Sequence, residues 1–356
     1  MKHKYQNYFY LPLLCSMLIT TLLLIVLLFT GCSNFNTNNA NTSDQPAYIT
    51  KSSFLLDTFV TIQIYDKQEE AILEGSMDVI RKYEKIYSRT DEDSELYQLN
   101  HGALASKGQQ VSEELADLLK YSMKYSNLSE GAFDLSIAPV SSLWNFKASN
   151  PVLPSEESIK EALSYVNYKD IKIEGNKITF AKEGMAIDLG AIAKGYIADR
   201  VKDYLLGEGV KSAMINLGGN VLCVGNKPDG SPFNVGIQMP YADRNETIAV
   251  MEISDLSVVS SGIYERYFSL DGVSYHHILN PKTGYPYDSN LISVTIISPY
   301  SVDGDGLSTS AFALGLEKGM DLIESIPNTY AIFITDDYKL HYTKGFKEAI
   351  KVIDSK

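Results

Sequence analysis

Residues 188–201 read DLGAIAKGYIADRV: one carboxylate, a run of small and apolar residues, then Lys194, Gly195 and Tyr196. The pattern predicts a helix over 191–207 that ends near Gly207 and Gly209. Small side chains between Asp188 and Lys194 let the backbone approach a ligand closely, and a lysine at a helix start can meet a ligand's negative charge. The run lacks the glycine spacing and the Lys-Ser/Thr pair of a Walker motif. Taken alone, Lys194 reads equally as a solvated helix lysine, so the rest of the chain decides.

Upstream, FLLDTFVTIQIYD (54–66) alternates apolar and polar residues and predicts one strand. Residues 67–87 place Ile72, Val79, Ile80, Tyr83 and Ile86 at helical spacings. A second helix is expected over 112–128, opened by Ser112 with Glu113 and Glu114 favourable near its N-terminus. IKIEGNKITFAKE (171–183) reads as a hairpin about Gly175 and Asn176. Downstream, strands with Gly and Pro turns fill 211–298, helices span 304–316 and continue to 326, and strands follow at 330–335 and 338–342. Adjacent strands with helices interposed predict an α+β fold, one domain of mixed sheets with packed helices and no internal repeat.

The N-terminus differs from everything after it. Lys2, His3 and Lys4 precede an apolar run over 11–29, the pattern of a signal peptide or an N-terminal anchor. LLFTGCSN then ends in a small residue followed by Cys32 and resembles the lipobox of bacterial lipoproteins, which implies cleavage before Cys32 and its acylation. An uncleaved single span is the other reading, since the run is close to the ~20 residues a span needs. Both put the bulk of the protein outside the cytoplasmic membrane. The expected division is a signal peptide over 1–31, the acylated cysteine and a flexible Asn/Thr/Ser-rich tether over 32–47, and a folded domain over 48–356.

With 356 residues, 45% of them hydrophobic, the chain has material for a sizeable core. Its net charge of −13 becomes −15 once Lys2 and Lys4 leave with the signal peptide, which argues against nucleic acid as a partner. An anionic ligand would need a local cation to offset that field. Cys223 is the one cysteine of the folded domain, so neither an internal disulfide nor a cysteine metal cluster is expected there.

Four further stretches complete a pattern. SGIYERYF (261–268), HILNPKTGYP (277–286), GDGLSTSAFALG (304–315) and LGGN (217–220) join DLGAIAKGYIAD in an order that resembles the ApbE-like family of FAD:protein FMN transferases. The resemblance runs from about Phe54 to Thr335. It implies an ApbE-like catalytic domain that uses Mg²⁺ and FAD. Such an enzyme moves the FMN portion of FAD onto a Thr or Ser hydroxyl of an exported acceptor protein and releases AMP.

The resemblance also assigns residues. Magnesium falls to Asp305 and Thr309 with a backbone carbonyl at Ala191, and Ser308 stands beside the ion's water shell. Asp305 and Thr309 are four apart, so in a helix they share a face and can offer two hard oxygens; Asp305 as a helix cap and Thr309 bonded to its own backbone is the bland alternative. Asp303 is read as a surface residue or N-terminal cap. Asp188 and Lys194 are expected to contact FAD, with Leu56, Ala132, Phe133, Asp134, His277 and Ile278 completing the site. His277 is the candidate base for the acceptor hydroxyl, and Asp305 joins it in catalysis. His276 is expected to be an exposed strand residue and Trp144 a core residue.

Two departures stand out. Asp57 occupies a position where the family commonly has glycine, and SRTDEDS (88–94) puts Thr90 where the family has a tyrosine that would contact the flavin. The same site could instead hydrolyse FAD to FMN and AMP, or the protein could be a lipid-anchored FAD-binding protein.

Overall fold

The computed structural model describes residues 48–102, 107–243 and 245–355. The expected signal peptide, Cys32 and tether lie outside the described residues. Among those described, no helix is long and apolar enough to cross a membrane.

The single strand expected over 54–66 is in fact the end of one strand and the whole of another. β1 (Ile49–Leu55) turns into β2 (Thr58–Ile64) through Leu56 and Asp57, whose φ values are +54° and +60°. Two consecutive positive φ values make the tight turn that suits a hairpin's twist. Leucine carries about 1 kcal/mol or more of backbone strain there. No Gly or Asn marks the turn, which is why alternation alone runs through it. The Leu56 N–H donates to Glu84 Oε1 at 2.6 Å, and Asp57 pairs with Lys147 and, at 3.5 Å, with Arg266.

α1 (Glu70–Tyr87) buries Ile72, Leu73, Ser76, Met77, Ile80, Tyr83 and Tyr87, one stripe at helical spacing. Each of its large apolar side chains contributes about 1.5–3 kcal/mol by leaving water. α2 (Glu95–Gly102) was not legible in the sequence. β3 (Gln109–Gln110) precedes α3 (Glu113–Leu128), where Ser112 Oγ accepts from the Leu115 N–H at 3.1 Å as the sequence suggested. Two short helices, α4 (Ala138–Ser141) and α5 (Glu156–Leu163), lead to the expected hairpin of β4 (Ile171–Glu174) and β5 (Lys177–Phe180).

α6 (Ala193–Gly207) is followed by β6 (Ala213–Leu217), β7 (Asn220–Val224), β8 (Phe233–Gln238), β9 (Thr247–Ile253) and β10 (Ser257–Gly262). Then come the hairpin β11 (Tyr267–Leu270) and β12 (Val273–His276), β13 (Leu291–Ser298), and the helices α7 (Ser301–Leu314) and α8 (Leu316–Glu324). β14 (Tyr330–Thr335), β15 (Leu340–Tyr342), α9 (Phe346–Ala349) and β16 (Lys351–Ser355) close the chain.

The main sheet has eight antiparallel strands in the order β1-β2-β6-β7-β10-β13-β14-β15. β13 is buried along its whole length because both faces are covered. Val294 and Ile296 enter the core shared with α1, α3, α6 and α7. Ile297 enters a second core shared with the three-stranded sheet β16-β9-β8. A register shift between Leu291 and Ser293 interrupts the alternation, so Ile292 joins the second core although its even number pairs it with Val294. The α+β class expected from the sequence is what the chain forms.

Candidate functional site

α6 and α7 pack so closely that they share backbone contacts. A Cβ on Gly195 would lie 2.6 Å from the Ser301 carbonyl carbon and 2.9 Å from Val302 Cα, so only glycine fits this crossing. The first two N–H groups of α7, on Ser301 and Val302, donate to Asp199 of α6 at 2.8 and 2.9 Å. Asp199 therefore caps α7 from another helix, and burial pushes its carboxyl up to about 6. Asp303 is neither a free surface residue nor the cap. It sits in the first turn of α7 and accepts from the Tyr125 hydroxyl and, at 3.3 Å, from Lys124 Nζ.

This crossing delivers Asp305, which is 5% exposed. Its Oδ2 accepts from the Gly195 N–H at 2.6 Å and its Oδ1 from Asn220 Nδ2 at 3.1 Å. Asn220 is itself fixed by the Ser301 hydroxyl, which donates to its Oδ1 at 2.7 Å. Burial raises the Asp305 carboxyl above the usual carboxylate range, and Lys194, Gly195 and Asn220 pull it back. No ion pair forms with Lys194, so the carboxylate has only neutral hydrogen-bond donors and a cation close by. Asp305 does not cap its own helix: the first N–H groups of α7 are held by Asp199, and Asp305 turns instead to Gly195 and Asn220.

Thr309 lies one turn further along the same helix. Its hydroxyl meets Ser261 Oγ at 3.1 Å, and Ser308 Oγ meets Ser261 Oγ at 2.8 Å. Thr309 is thus tied across to β10. One buried carboxylate with hydroxyls beside it fits Mg²⁺, which takes few protein oxygens and completes its shell with phosphate and water. Among the described residues, no group of three or more His, Cys, Asp or Glu side chains is placed to hold a metal ion. Ala191 is exposed just before α6, with its carbonyl in the segment that leads to Lys194 and Gly195.

His277 is half-buried, and its backbone N–H donates to the Arg266 carbonyl at 3.1 Å. Its Nδ1 lies 3.2 Å from the same oxygen. A carbonyl only accepts, so Nδ1 carries the proton and the neutral ring's lone pair is on Nε2. Burial pushes the imidazole down to about 4; the bond to the Arg266 carbonyl pulls it back, and the charges of Arg266, His276 and Lys194 push it down. His276 is not the exposed strand residue expected. It is 6% exposed, lies edge-on to Phe312 of α7, and has Nε2 3.0 Å from the Tyr287 carbonyl. Ile278 beside it is also buried.

The remaining candidates fall into two neighbouring groups. Tyr287 donates its hydroxyl to the Ala132 carbonyl at 3.0 Å, which links the GAFD segment to the histidine segment. Phe133 is 4% exposed in the main core. Asp134 has Oδ1 occupied by the Ser136 N–H and hydroxyl at 2.8 and 2.6 Å, and Oδ2 by the Tyr168 N–H at 3.0 Å. Burial raises its carboxyl. Trp144 packs in a third cluster with Phe268 and Leu279, stacked on Phe146, as a core residue should.

Asp188 heads the other group. It accepts from Ser141 Oγ at 2.8 Å and pairs with Arg89 at 3.6 Å, while Arg89 also donates to Ser141 and Ser142 at 2.9 Å. Thr90 is exposed next to Arg89 and lines a cavity of ≈ 470 Å³ with it. A larger concavity, ≈ 620 Å³ along 342–354, contains none of these residues. Leu56 is half-buried at the β1–β2 turn, and Arg266 joins that turn to His277.

The sequence reading missed Asn220, Ser261, Asp199 and Arg89 as named participants. Asn220 and Ser261 lie in quoted motifs, LGGN and SGIYERYF, but residue type alone did not show that they steady Asp305 and Thr309. Arg89 and Asp199 act across more than ninety residues of chain.

A buried carboxylate, a nearby lysine and a neutral histidine in one place are the equipment of an enzyme that works on phosphate esters or anhydrides. The chain belongs to the ApbE family, whose pattern it matches over residues 56–334. A Klebsiella pneumoniae relative named FAD:protein FMN transferase is 36% identical over 295 residues, covering 82% of this chain and 90% of its own. A Treponema pallidum protein of the same name is 32% identical over 325 residues, covering 86% and 90%. The solved structure of the flavin transferase ApbE from Vibrio cholerae superposes with a TM-score of 0.77 at 27% identity, covering 85% of this chain and 99% of that one.

Proposed function

We propose that this ApbE-family enzyme transfers the FMN portion of FAD to a Thr or Ser hydroxyl of an exported acceptor protein and releases AMP. The observation that carries the reading is Asp305, buried without an ion-pair partner, with Lys194 near enough to act on both that carboxylate and the neutral His277. The ApbE membership and the named relatives supply the flavin.

Asp305 and Thr309 would hold Mg²⁺, with the Ala191 carbonyl and Ser308 beside it. Bound there, the ion would neutralise charge on the pyrophosphate oxygens. Lys194 faces the same charge from α6. Asp188, Leu56, Thr90, Ala132, Phe133, Asp134 and Ile278 line the path of the rest of the dinucleotide. Where Phe133 and Asp134 take part, their buried side chains leave the backbone to make the contact.

The acceptor oxygen attacks the FMN phosphorus. A new P–O bond forms, the pyrophosphate P–O bond to AMP breaks, and the hydroxyl proton passes to His277 Nε2. Arg266 fixes the tautomer that leaves Nε2 free. The enzyme works on the outer side of the cytoplasmic membrane, held by a lipid on Cys32, where its acidic charge does not favour nucleic acid.

The test is AMP release from FAD at a series of magnesium concentrations, with and without a candidate acceptor. AMP that depends on both magnesium and acceptor supports transfer. Equal AMP release without acceptor makes the protein an FAD hydrolase, and no AMP in any arm makes it an FAD-binding protein. Asp305→Ala should abolish turnover at every magnesium concentration.

A further inference from the structure

The ≈ 470 Å³ cavity beside the Arg89–Asp188 pair is lined by two aromatic side chains that the reading above leaves unused. Tyr97 and His101 stand one turn apart on α2 and stack, with ring centroids 3.8 Å apart and planes 23° from parallel. His101 Nδ1 lies 2.8 Å from the Tyr97 carbonyl, which fixes the imidazole's orientation. α2 is clamped in place by Asn100. Its Nδ2 donates to the Ile187 carbonyl and its Oδ1 accepts the Ile187 N–H, both at 2.8 Å. The stack is therefore held in register with Asp188, the next residue. Arg89, Thr90, Pro139 and Ser142 line the same cavity.

Thr90 stands where the resembled motif has a tyrosine, and a threonine has no ring to stack. The cavity nonetheless has an aromatic wall, an arginine, and a volume within the ordinary range of ligand pockets. We propose that the Tyr97–His101 pair receives a heteroaromatic ring of FAD and replaces the aromatic surface that Thr90 lacks. This rests on the flavin-transfer reading. Isoalloxazine and adenine share the required chemistry, a flat π-face bounded by polar edges.

The test is equilibrium binding of FAD, FMN and AMP to the full chain and to Tyr97→Ala, Tyr97→Phe and His101→Ala. Tyr97→Ala and His101→Ala should weaken FAD about 5- to 100-fold, the range for loss of one base-stacking surface, and Tyr97→Phe should keep the affinity. Loss carried over to AMP alone places adenine on the pair, and loss carried over to FMN alone places isoalloxazine there. His101 is exposed, so its truncation leaves the core intact if Tyr97→Ala does not fold. Unchanged FAD affinity in both alanine variants, with only a lower melting temperature, would show that the pair merely staples α2 and would overturn the inference alone. Equal loss for FMN and AMP would indicate a displaced helix and also overturn it. A wild-type protein that does not bind FAD removes both this inference and the flavin-transfer reading.

Discussion

Gly195→Ala is the substitution that most directly probes the helix crossing. The added Cβ would stand 2.6 Å from the Ser301 carbonyl carbon and 2.9 Å from Val302 Cα, against an ordinary carbon–carbon separation of about 3.5–4.0 Å. Both obstacles are backbone, so α6 and α7 must part by about 1 Å. The Gly195 N–H to Asp305 bond, now 2.6 Å, would stretch to about 3.5 Å, the limit of a hydrogen bond. Overpacking costs about 1–3 kcal/mol. Loss of an N–H donor to a buried carboxylate costs about 1.5–3 kcal/mol more. Alanine's better helix propensity returns about 1 kcal/mol. The net is a destabilisation of about 1.5–5 kcal/mol, read as a lower urea midpoint at unchanged slope. Magnesium-dependent AMP release should fall with it, because Asp305 moves. A variant within about 1 kcal/mol of wild type and fully active would refute the claim that this crossing positions the carboxylate.

Further outcomes follow from the same geometry. With FAD and magnesium saturating, proton transfer to the neutral His277 ring, as proposed, requires turnover level from pH 8 to 5 and falling below that with an apparent pKa near 4; a limb near 6.5 would show an imidazole open to water. Asp199 has its carboxyl raised to about 6, so its contribution to stability is complete below the unfolded value near 4 and is lost as pH rises through 6. Asp199→Asn should flatten that part of the stability–pH curve in urea titrations, and an unchanged slope would assign it elsewhere. Leu56→Gly should leave stability within about 1 kcal/mol of wild type, relief of the positive φ offsetting the loss of a half-buried side chain packed on the core, while weakening FAD binding. Equal FAD affinity would remove Leu56 from the site. Lys194→Ala should weaken FAD binding in direct titration, and unchanged affinity would leave Lys194 as a solvated helix residue.

Local pattern carried much of this architecture. The stripe of α1, the Ser112 start of α3 and the Gly175 hairpin each depend on residues within one or two turns, and each was readable. The β1–β2 turn was not, because Leu56 and Asp57 adopt positive φ without a glycine, and the ion pairs of Asp57 that hold the turn come from Lys147 and Arg266. The start of α7 at Ser301 rather than residue 304 has the same cause, a cap supplied by Asp199. Within the site, the spacing of Asp305 and Thr309 correctly put them on one helix face. The burial of His276 against Phe312, and the use of Asn220 and Ser261 as supports, arise only when β7, β10 and α7 meet.

The central claim is transfer of flavin to a protein hydroxyl, and the most direct measurement is the intact mass of a candidate exported FMN-binding acceptor after incubation with the full chain, FAD and magnesium. The account predicts an acceptor heavier by one FMN less water, with one AMP released for each, and no gain when the target Thr or Ser is replaced by Ala. An unmodified acceptor accompanied by free FMN and AMP would contradict it.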